Sequence, residues 1–350
     1  TKQYLHHPNN MSFEAPTSTR AVYYEDYGPS DVIKVGEQPL KALGPNDVLI
    51  EVKASGVNPV DFKLRLGYIK AWPCEMPTVI GWDAAGVVKA VGSDTTRIKV
   101  DDEVYSYTRP AWDCKEDHPE SAEEKINNQT GSTADYIVVP EWKVAKKPSS
   151  QTMAVAAGVP LAGLTAWQGL FDHGKLAAGQ TVLILNASGG VGGFAVQFAK
   201  AKGATVVGTC SAGKAEYVTS LGADHVVDYN AEGGIAANVA KLGLTIDVVY
   251  DAIGGDNTEQ GVKALKDGGI IVTIANGGAL GGLVEAEGRG QIGAGFLVKP
   301  DAAQLAEIAE LFDAGTVKAP AMTEMPFTDA AKAHDAVATG KTHGKVVLIA

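Results

Sequence analysis

Residues 181–200, TVLILNASGGVGGFAVQFAK, constrain the fold more than any other stretch of the chain. A continuous apolar run over 181–185 enters a glycine-rich turn, and the turn opens into a helical pattern over 192–202. A short run of that kind reads as a strand buried on both faces, as in a parallel sheet. The turn then brings backbone amides and the positive end of a helix to one place, which suits a pyrophosphate. Ala187 stands where the first glycine of GxGxxG belongs, so the motif reads AxGGVG. Glycines alone say little. The order of strand, turn, helix and second strand (205–209) makes this a dinucleotide-binding Rossmann pattern, with Ser188, Gly189, Gly190, Val191 and Gly192 as the expected phosphate contacts.

The end of the second strand chooses the cofactor. An NAD enzyme usually carries an acid about 20 residues past the glycines, where it accepts from the ribose hydroxyls. The segment VVGTCSAGK over 206–214 has none. It offers the hydroxyl of Ser211 and the cation of Lys214, which suit a 2′-phosphate. Tyr229, at the end of the next strand, adds a phenolic donor. The expected cofactor is NADPH. By itself Lys214 would read as an exposed helix lysine; the missing acid gives it meaning.

Around this centre the pattern is α/β. Strands at 225–227, 246–250 and 269–274 alternate with helical stretches such as 214–221, which implies a doubly wound parallel sheet. Ile253 and Ile274 follow buried strands, where backbone groups meet adenine ribose and nicotinamide. An alanine-rich stretch, 151–170, reads as a helix. So does 301–314, with Leu305, Ile308 and Leu311 on one side. Another helical stretch starts at Phe327, and 345–349 reads as a closing strand. The N-terminal part is β-rich, with strands at 20–24, 47–54, 86–91, 103–107 and 134–139. Residues 110–131 are polar and charged, and read as a surface insertion.

A chain of 350 residues is too long for one ordinary domain. Its net charge of −11 repels nucleic-acid phosphates and anionic lipid, so neither is an expected partner. No run is long and apolar enough to span a bilayer. Three scattered cysteines fit a reducing compartment, the cytoplasm first, with an organelle reached by a removed targeting segment as the alternative. The first 19 residues are polar and irregular with Met11 inside, as a tag, a trimmed targeting segment or a native arm would be.

Several further motifs carry a resemblance. SGVNPVDFKLRLG (55–67), PTVIGWDAAGVV (77–88), PLAGLTA (160–166), GADHVVDY (222–229) and GKVVL (344–348) stand in order along the chain. Together they resemble the quinone oxidoreductase-like group of medium-chain dehydrogenases/reductases, which includes NADPH-dependent quinone and 2-alkenal reductases. The resemblance covers residues 20–350. It implies a GroES-like β-rich catalytic domain over 1–148 and 298–350, split around a Rossmann domain over 149–297. Substrate and nicotinamide would meet between the two. A homodimer is likewise implied.

The resemblance also implies roles. Asn58 would donate its amide to ribose or substrate oxygen; as a bare residue it would be a turn amide before Pro59. Asp61, by its spacing from Lys63 and Arg65, reads as an organising carboxylate paired with one of them rather than as a proton donor. Tyr68 and Trp82 would line the substrate pocket, although ordinary packing explains such aromatics as well. Thr165 stands near the nicotinamide, Phe296 and Leu297 close over the cofactor, and Lys345 reaches the same place. Tyr105, Tyr107 and Arg109 end a strand that would face it.

Zinc alcohol dehydrogenases of the superfamily use a Cys and a His-Glu pair; here Asn58 stands at the Cys position, and Trp82 and Asp83 at the pair. Neither Asn nor Trp is a zinc ligand, so no metal is expected. Without a Lewis acid, hydride addition to an electron-poor acceptor is easier than alcohol oxidation. The expected activity is NADPH-dependent reduction of a quinone or an α,β-unsaturated carbonyl. The alternatives are an enoyl-thioester reductase and a NADPH-binding protein without turnover.

Overall fold

The computed structural model describes residues 15–275, 280–342 and 344–350. They form two compact units, one of which returns to the chain's C-terminus.

The first unit holds the described residues up to Leu161, with Lys299–Asp313 and Ala321–Ala350. Strands are numbered along the chain. A three-stranded antiparallel sheet runs β2 (Lys34–Pro39), β1 (Ser18–Tyr24), β4 (Thr78–Val79). The larger sheet has the order β15 (Met322–Pro326), β16 (Lys345–Ile349), β3 (Asp47–Val57), β5 (Asp83–Val91), β6 (Glu103–Tyr107), β8 (Val144–Lys146), with β7 (Tyr136–Pro140) also on β3. β3 is the hub. One edge takes β5 along its length; the other takes β7 at Asp47–Glu51 and β16 at Ala54–Val57. Its apolar residues Val48, Ile50, Val52 and Val57 pack with Val88, Val104, Val346 and Leu348 in one core. Each such side chain contributes roughly 1.5–3 kcal/mol of burial.

Four helices belong to this unit: α1 (Pro59–Arg65), α2 (Met153–Ala157), α9 (Ala302–Asp313) and α10 (Ala330–Ala338). Pro59 opens α1, where its fixed φ suits a first turn and its missing N–H costs nothing. Thr152 caps α2 by accepting from the Val155 amide. On α9 it is Phe312, rather than the expected Leu311, that joins Leu305 and Ile308 in the core. The single helix expected over 151–170 breaks after α2: Gly158 ends it and Pro160 starts α3 (Pro160–Trp167).

The stretch 110–131 keeps most of its charges exposed, as a surface insertion would, but it is anchored at a few buried points. Ala111, Cys114, Ser121 and Ile126 are all buried. The buried ammonium of Lys143 ties the segment down, donating to the Arg109 carbonyl (3.1 Å) and to Glu124 Oε2 (2.7 Å). Glu124 Oε2 also accepts from the Ala111 amide, and the Ser121 hydroxyl donates to the Ala111 carbonyl. Only Glu124 and Asp113 turn their charges inward; Lys115, Glu116, Asp117, Glu120, Glu123 and Lys125 are exposed.

The second unit holds Ala162–Val298 and Ala314–Pro320. Six parallel strands have the order β11 (His225–Asp228), β10 (Thr205–Cys210), β9 (Thr181–Leu185), β12 (Ile246–Asp251), β13 (Leu265–Thr273), β14 (Ile292–Gly295). This is the doubly wound Rossmann order, reversing between β9 and β12. The alternating helices are α4 (Gly190–Ala201), α5 (Ala215–Ser220), α6 (Gly234–Ala240), α7 (Asp256–Ala264) and α8 (Leu280–Glu287). Beyond α3 the chain widens into a π turn over Gln168–His173. A side chain at Gly169 would lie 2.1 Å from the Tyr250 ring, and the Tyr250 hydroxyl donates to the Thr165 carbonyl (3.0 Å). The α/β class, the parallel sheet and the β-rich unit are as the sequence implies.

Candidate active site

Strand register places the polar groups of the first unit. Val346 of β16 pairs with Val57, and Asp83 of β5 pairs with Gly56. The residues beside those pairs, Lys345 and Asn58, therefore meet Asp83 at the end of β3, where α1 begins. Gly56 makes the approach possible: a Cβ there would lie 2.3 Å from the Ala157 carbonyl and 3.0 Å from Asp83 Cβ.

The side chains form one buried network. Lys345 Nζ donates to Asn58 Oδ1, and Asn58 Nδ2 donates to Asp83 Oδ2 (2.8 Å). Asp83 Oδ1 accepts from the Leu161 amide (2.8 Å), and Asp61 Oδ2 accepts from the Asn58 amide (2.7 Å). Asn58 is 1% exposed, Asp83 0%, Asp61 4% and Lys345 6%. An ammonium on one side and a carboxylate on the other fix which way the Asn58 amide points. Burial pushes the Asp61 carboxyl up to about 7, against the pull of the Asn58 amide, with Asp83 adding to the rise and Lys345 opposing it. Burial likewise lifts Asp83 to about 6, opposed by Lys345 and the Asn58 amide. Lys345 is lowered by burial, opposed by the two carboxylates.

Asp61 does not pair with Lys63 or Arg65 as expected. Arg65 turns away, donating to the Gly28 carbonyl (2.5 Å) and to His334 Nδ1 (3.4 Å) on α10. Trp82 is buried, stacked on Trp72 (centroids 6.1 Å, 18°) and edge-on to Tyr107. Tyr68, in the loop after α1, is 73% exposed. Tyr105 is taken by packing, its hydroxyl donating to the Leu305 carbonyl of α9.

In the second unit the glycine turn is built around Asn186, held at φ 63°. Its amide donates to Thr209 Oγ1 (3.1 Å), and the Ala187 amide donates to the Thr209 carbonyl, so β10 carries the turn. A side chain at Gly192 would meet the Asn186 carbonyl at 2.1 Å, which is why only glycine fits there. Ala187 is accommodated by Gly208 on β10, where a Cβ would lie 2.9 Å from the Ala187 methyl. Gly189 caps α4, and Ser188, Gly190 and Val191 stand half-exposed at its N-terminus.

Ser211 follows β10, half-buried; Lys214 is exposed, and Tyr229 is 47% exposed with its amide on the Cys210 carbonyl. Asp228, opposite Cys210 in the sheet, is an acid nearby, but its Oδ1 accepts from Asn230. At the other side of β9 the buried Asp251, which the sequence reading passed over, organises the loop after β12. Its Oδ1 accepts from the Ile253 and Gly254 amides, and its Oδ2 from Thr258 and Thr273. This leaves Ile253 50% exposed. The Ile274 amide donates to the Asp251 carbonyl. Phe296 stacks on His173 (4.4 Å, 26°), beside the half-exposed Leu297, and Thr165 is buried.

The second unit thus presents a glycine-rich turn at the N-terminus of α4, with a hydroxyl and a cation following the neighbouring strand β10. A metal does not fit the first unit's network: its amide oxygen is already bound to an ammonium, and Trp82 lies in an aromatic stack. Among the described residues no three His, Cys, Asp or Glu side chains come together as a metal cage.

Known proteins share this architecture. Residues 44–149 match the alcohol dehydrogenase GroES-like domain, and 221–348 match the zinc-binding dehydrogenase family. A 2-methylene-furan-3-one reductase of Solanum lycopersicum is 37% identical over 97% of this chain and 81% of its own. An NADPH-dependent alkenal/one oxidoreductase of Arabidopsis thaliana, described as chloroplastic, is 38% identical over 95% and 80%. The solved quinone oxidoreductase of Coxiella burnetii superposes with a TM-score of 0.79 at 26% identity, covering 95% of this chain and 99% of that one.

Proposed function

This chain belongs to the quinone oxidoreductase-like family of medium-chain dehydrogenases/reductases, and on that premise we propose that it reduces conjugated carbonyl compounds or quinones with NADPH and without a metal. That it is an oxidoreductase follows from the family; the cofactor, the acceptor and the residue roles are our reading. The observation that carries it is the Asn58–Asp83–Lys345 network, which supplies an oriented amide where a metal enzyme needs ligands.

NADPH, when bound, supplies the hydride. The turn from Ser188 to Gly192 holds the pyrophosphate, and Ser211, Lys214 and Tyr229 hold the 2′-phosphate. Thr165, Ile253, Ile274, Phe296 and Leu297 contact the remainder. Asn58 keeps one N–H free of Asp83, and with it binds the acceptor oxygen or the ribose. Lys345 acts through Asn58 rather than on the cofactor directly. Tyr68 and Trp82 bound the acceptor, and Asp61 holds the start of α1. Names of the relatives, a furanone reductase and an alkenal/one oxidoreductase, support an enone or alkenal acceptor.

The free cysteines Cys74, Cys114 and Cys210 support work in a reducing compartment, the cytoplasm in our reading. No helix among the described residues is long and apolar enough to cross a membrane. The half-exposed Ile292 on β14 supports pairing with a second copy. The test is NADPH oxidation with a panel of alkenals, enones, quinones and enoyl thioesters. Turnover of the unsaturated carbonyls or quinones is expected. Tight NADPH binding without turnover of any of them would make the chain a binding protein instead; turnover of thioesters alone would move it to the enoyl-reductase class.

A further inference from the structure

Arg109 follows β6 and is 0% exposed, yet its guanidinium is poorly provided for. Nη2 donates to Asp113 Oδ1 at 2.7 Å. Nε and Nη1 are buried and have no acceptor among the described residues. A guanidinium cannot shed its charge, and donors removed from water without an acceptor are costly. Arg289 also has an orphan Nε, but its other nitrogens donate to the Val262, Lys263 and Leu265 carbonyls. Among the described residues Arg109 is the buried cation with the most unmet demand.

Its surroundings are flat and aromatic. The guanidinium lies over Trp112, 5.1 Å from the ring centroid. Trp112 meets Trp72 edge-on (5.5 Å), Trp72 stacks on Trp82, and Trp82 meets Tyr107. Tyr107 pairs with Asp83 in the sheet, so this row of rings runs directly from the Asn58–Asp83 network to Arg109. Lys143 is balanced by Glu124, and Asp113, which answers Arg109, is 28% exposed on its side chain. Positive charge from Lys299 also reaches Cys114, next to Asp113. The folded segment 110–131 supplies Trp112 and Asp113 and is clamped at its base by Lys143, so the cation is held rather than free to leave.

We propose that Arg109 is an anchor for a carboxylate on the acceptor, so that the preferred substrates are flat conjugated oxo-acids of the 4-oxo-2-enoate type. The proposal rests on the reductase reading and names its substrate class. A carboxylate has the planar oxygens that a guanidinium binds best, and the rings offer faces for the conjugated carbons between the two ends.

The experiment compares 4-oxopent-2-enoate with its methyl ester, which has the same reacting carbons without the charge. Expected is a KM for the acid about tenfold below that of the ester. Arg109→Met should erase that preference and Arg109→Lys should recover part of it. A second measurement does not need the variant: quenching of tryptophan fluorescence in the wild-type protein by the unreactive 4-oxopentanoate and by its ester. Saturable quenching by the acid at concentrations where the ester is silent supports the anchor. Equal KM for acid and ester in the wild type overturns it and leaves the reductase reading standing, and so does Arg109→Met lowering both substrates equally. Failure to turn over either compound, with NADPH bound, overturns the substrate class; the reductase reading falls with it only if the alkenals, other enones and quinones also fail.

Discussion

At Lys214 the proposal for the cofactor narrows to one charge. Among the described residues it has no ion-pair partner, and it follows directly from the hydroxyl of Ser211 at the end of β10. Lys214→Ala should raise KM for NADPH about tenfold while changing KM for NADH little. Equal effects on the two would remove the 2′-phosphate assignment. Asp61 gives a prediction about pH. Its carboxyl titrates near about 7 in the folded protein against an ordinary value of 3.8. Between those values the folded chain holds a proton that the unfolded chain has released, so stability falls as pH rises across that window. Asp83 acts in the same direction up to about 6. Asp61→Asn should flatten the decline between about pH 4 and about pH 7 by on the order of 1–3 kcal/mol, read from urea midpoints. An unchanged slope would place the proton elsewhere. Asp61's true partner is local, the Asn58 amide of a capping box at the start of α1, and Asp251's are mostly local too, with only Thr273 brought in by the neighbouring strand. Local spacing suggested Lys63 and Arg65, and α1 turns Arg65 toward His334 instead.

Among the elements, the β9 turn shows how a departure from a motif is absorbed. Ala187 occupies the place of a motif glycine because Gly208 on the neighbouring strand leaves room for its methyl. Gly208→Ala should cost roughly 1–3 kcal/mol, and Ala187→Gly on that background should restore part of it. The restoration is incomplete because Val218 Cγ1 also lies 2.8 Å from a Cβ at Gly208. A thermal-denaturation double-mutant cycle measures the coupling; additive effects would mean the two sites do not share this space. Elements with a strong periodic signal, β9, β10 and α9, were readable in advance. β14, with the sequence IGAG, and the short α6 carry no such signal and are made by the sheet they join. The anchoring of segment 110–131 was hidden for a related reason: among its mostly exposed charges, Glu124 alone turns in to meet Lys143, which comes from a later strand connection.

For the whole molecule, the α/β class with its parallel Rossmann sheet beside a β-rich part was legible because glycine punctuation and strand–helix alternation are local signals. The polar network was not, since β16 returns from the far end of the chain to set Lys345 beside Asn58. The central claim is that this chain delivers hydride from NADPH to an electron-poor acceptor using an oriented amide in place of a metal. The most direct measurement is the rate of NADPH consumption with a conjugated enone before and after exhaustive chelation, with bound metal quantified on the same sample. The account predicts an unchanged rate in metal-free protein. Loss of turnover on chelation that stoichiometric zinc restores, or no use of NADPH at all, would contradict it.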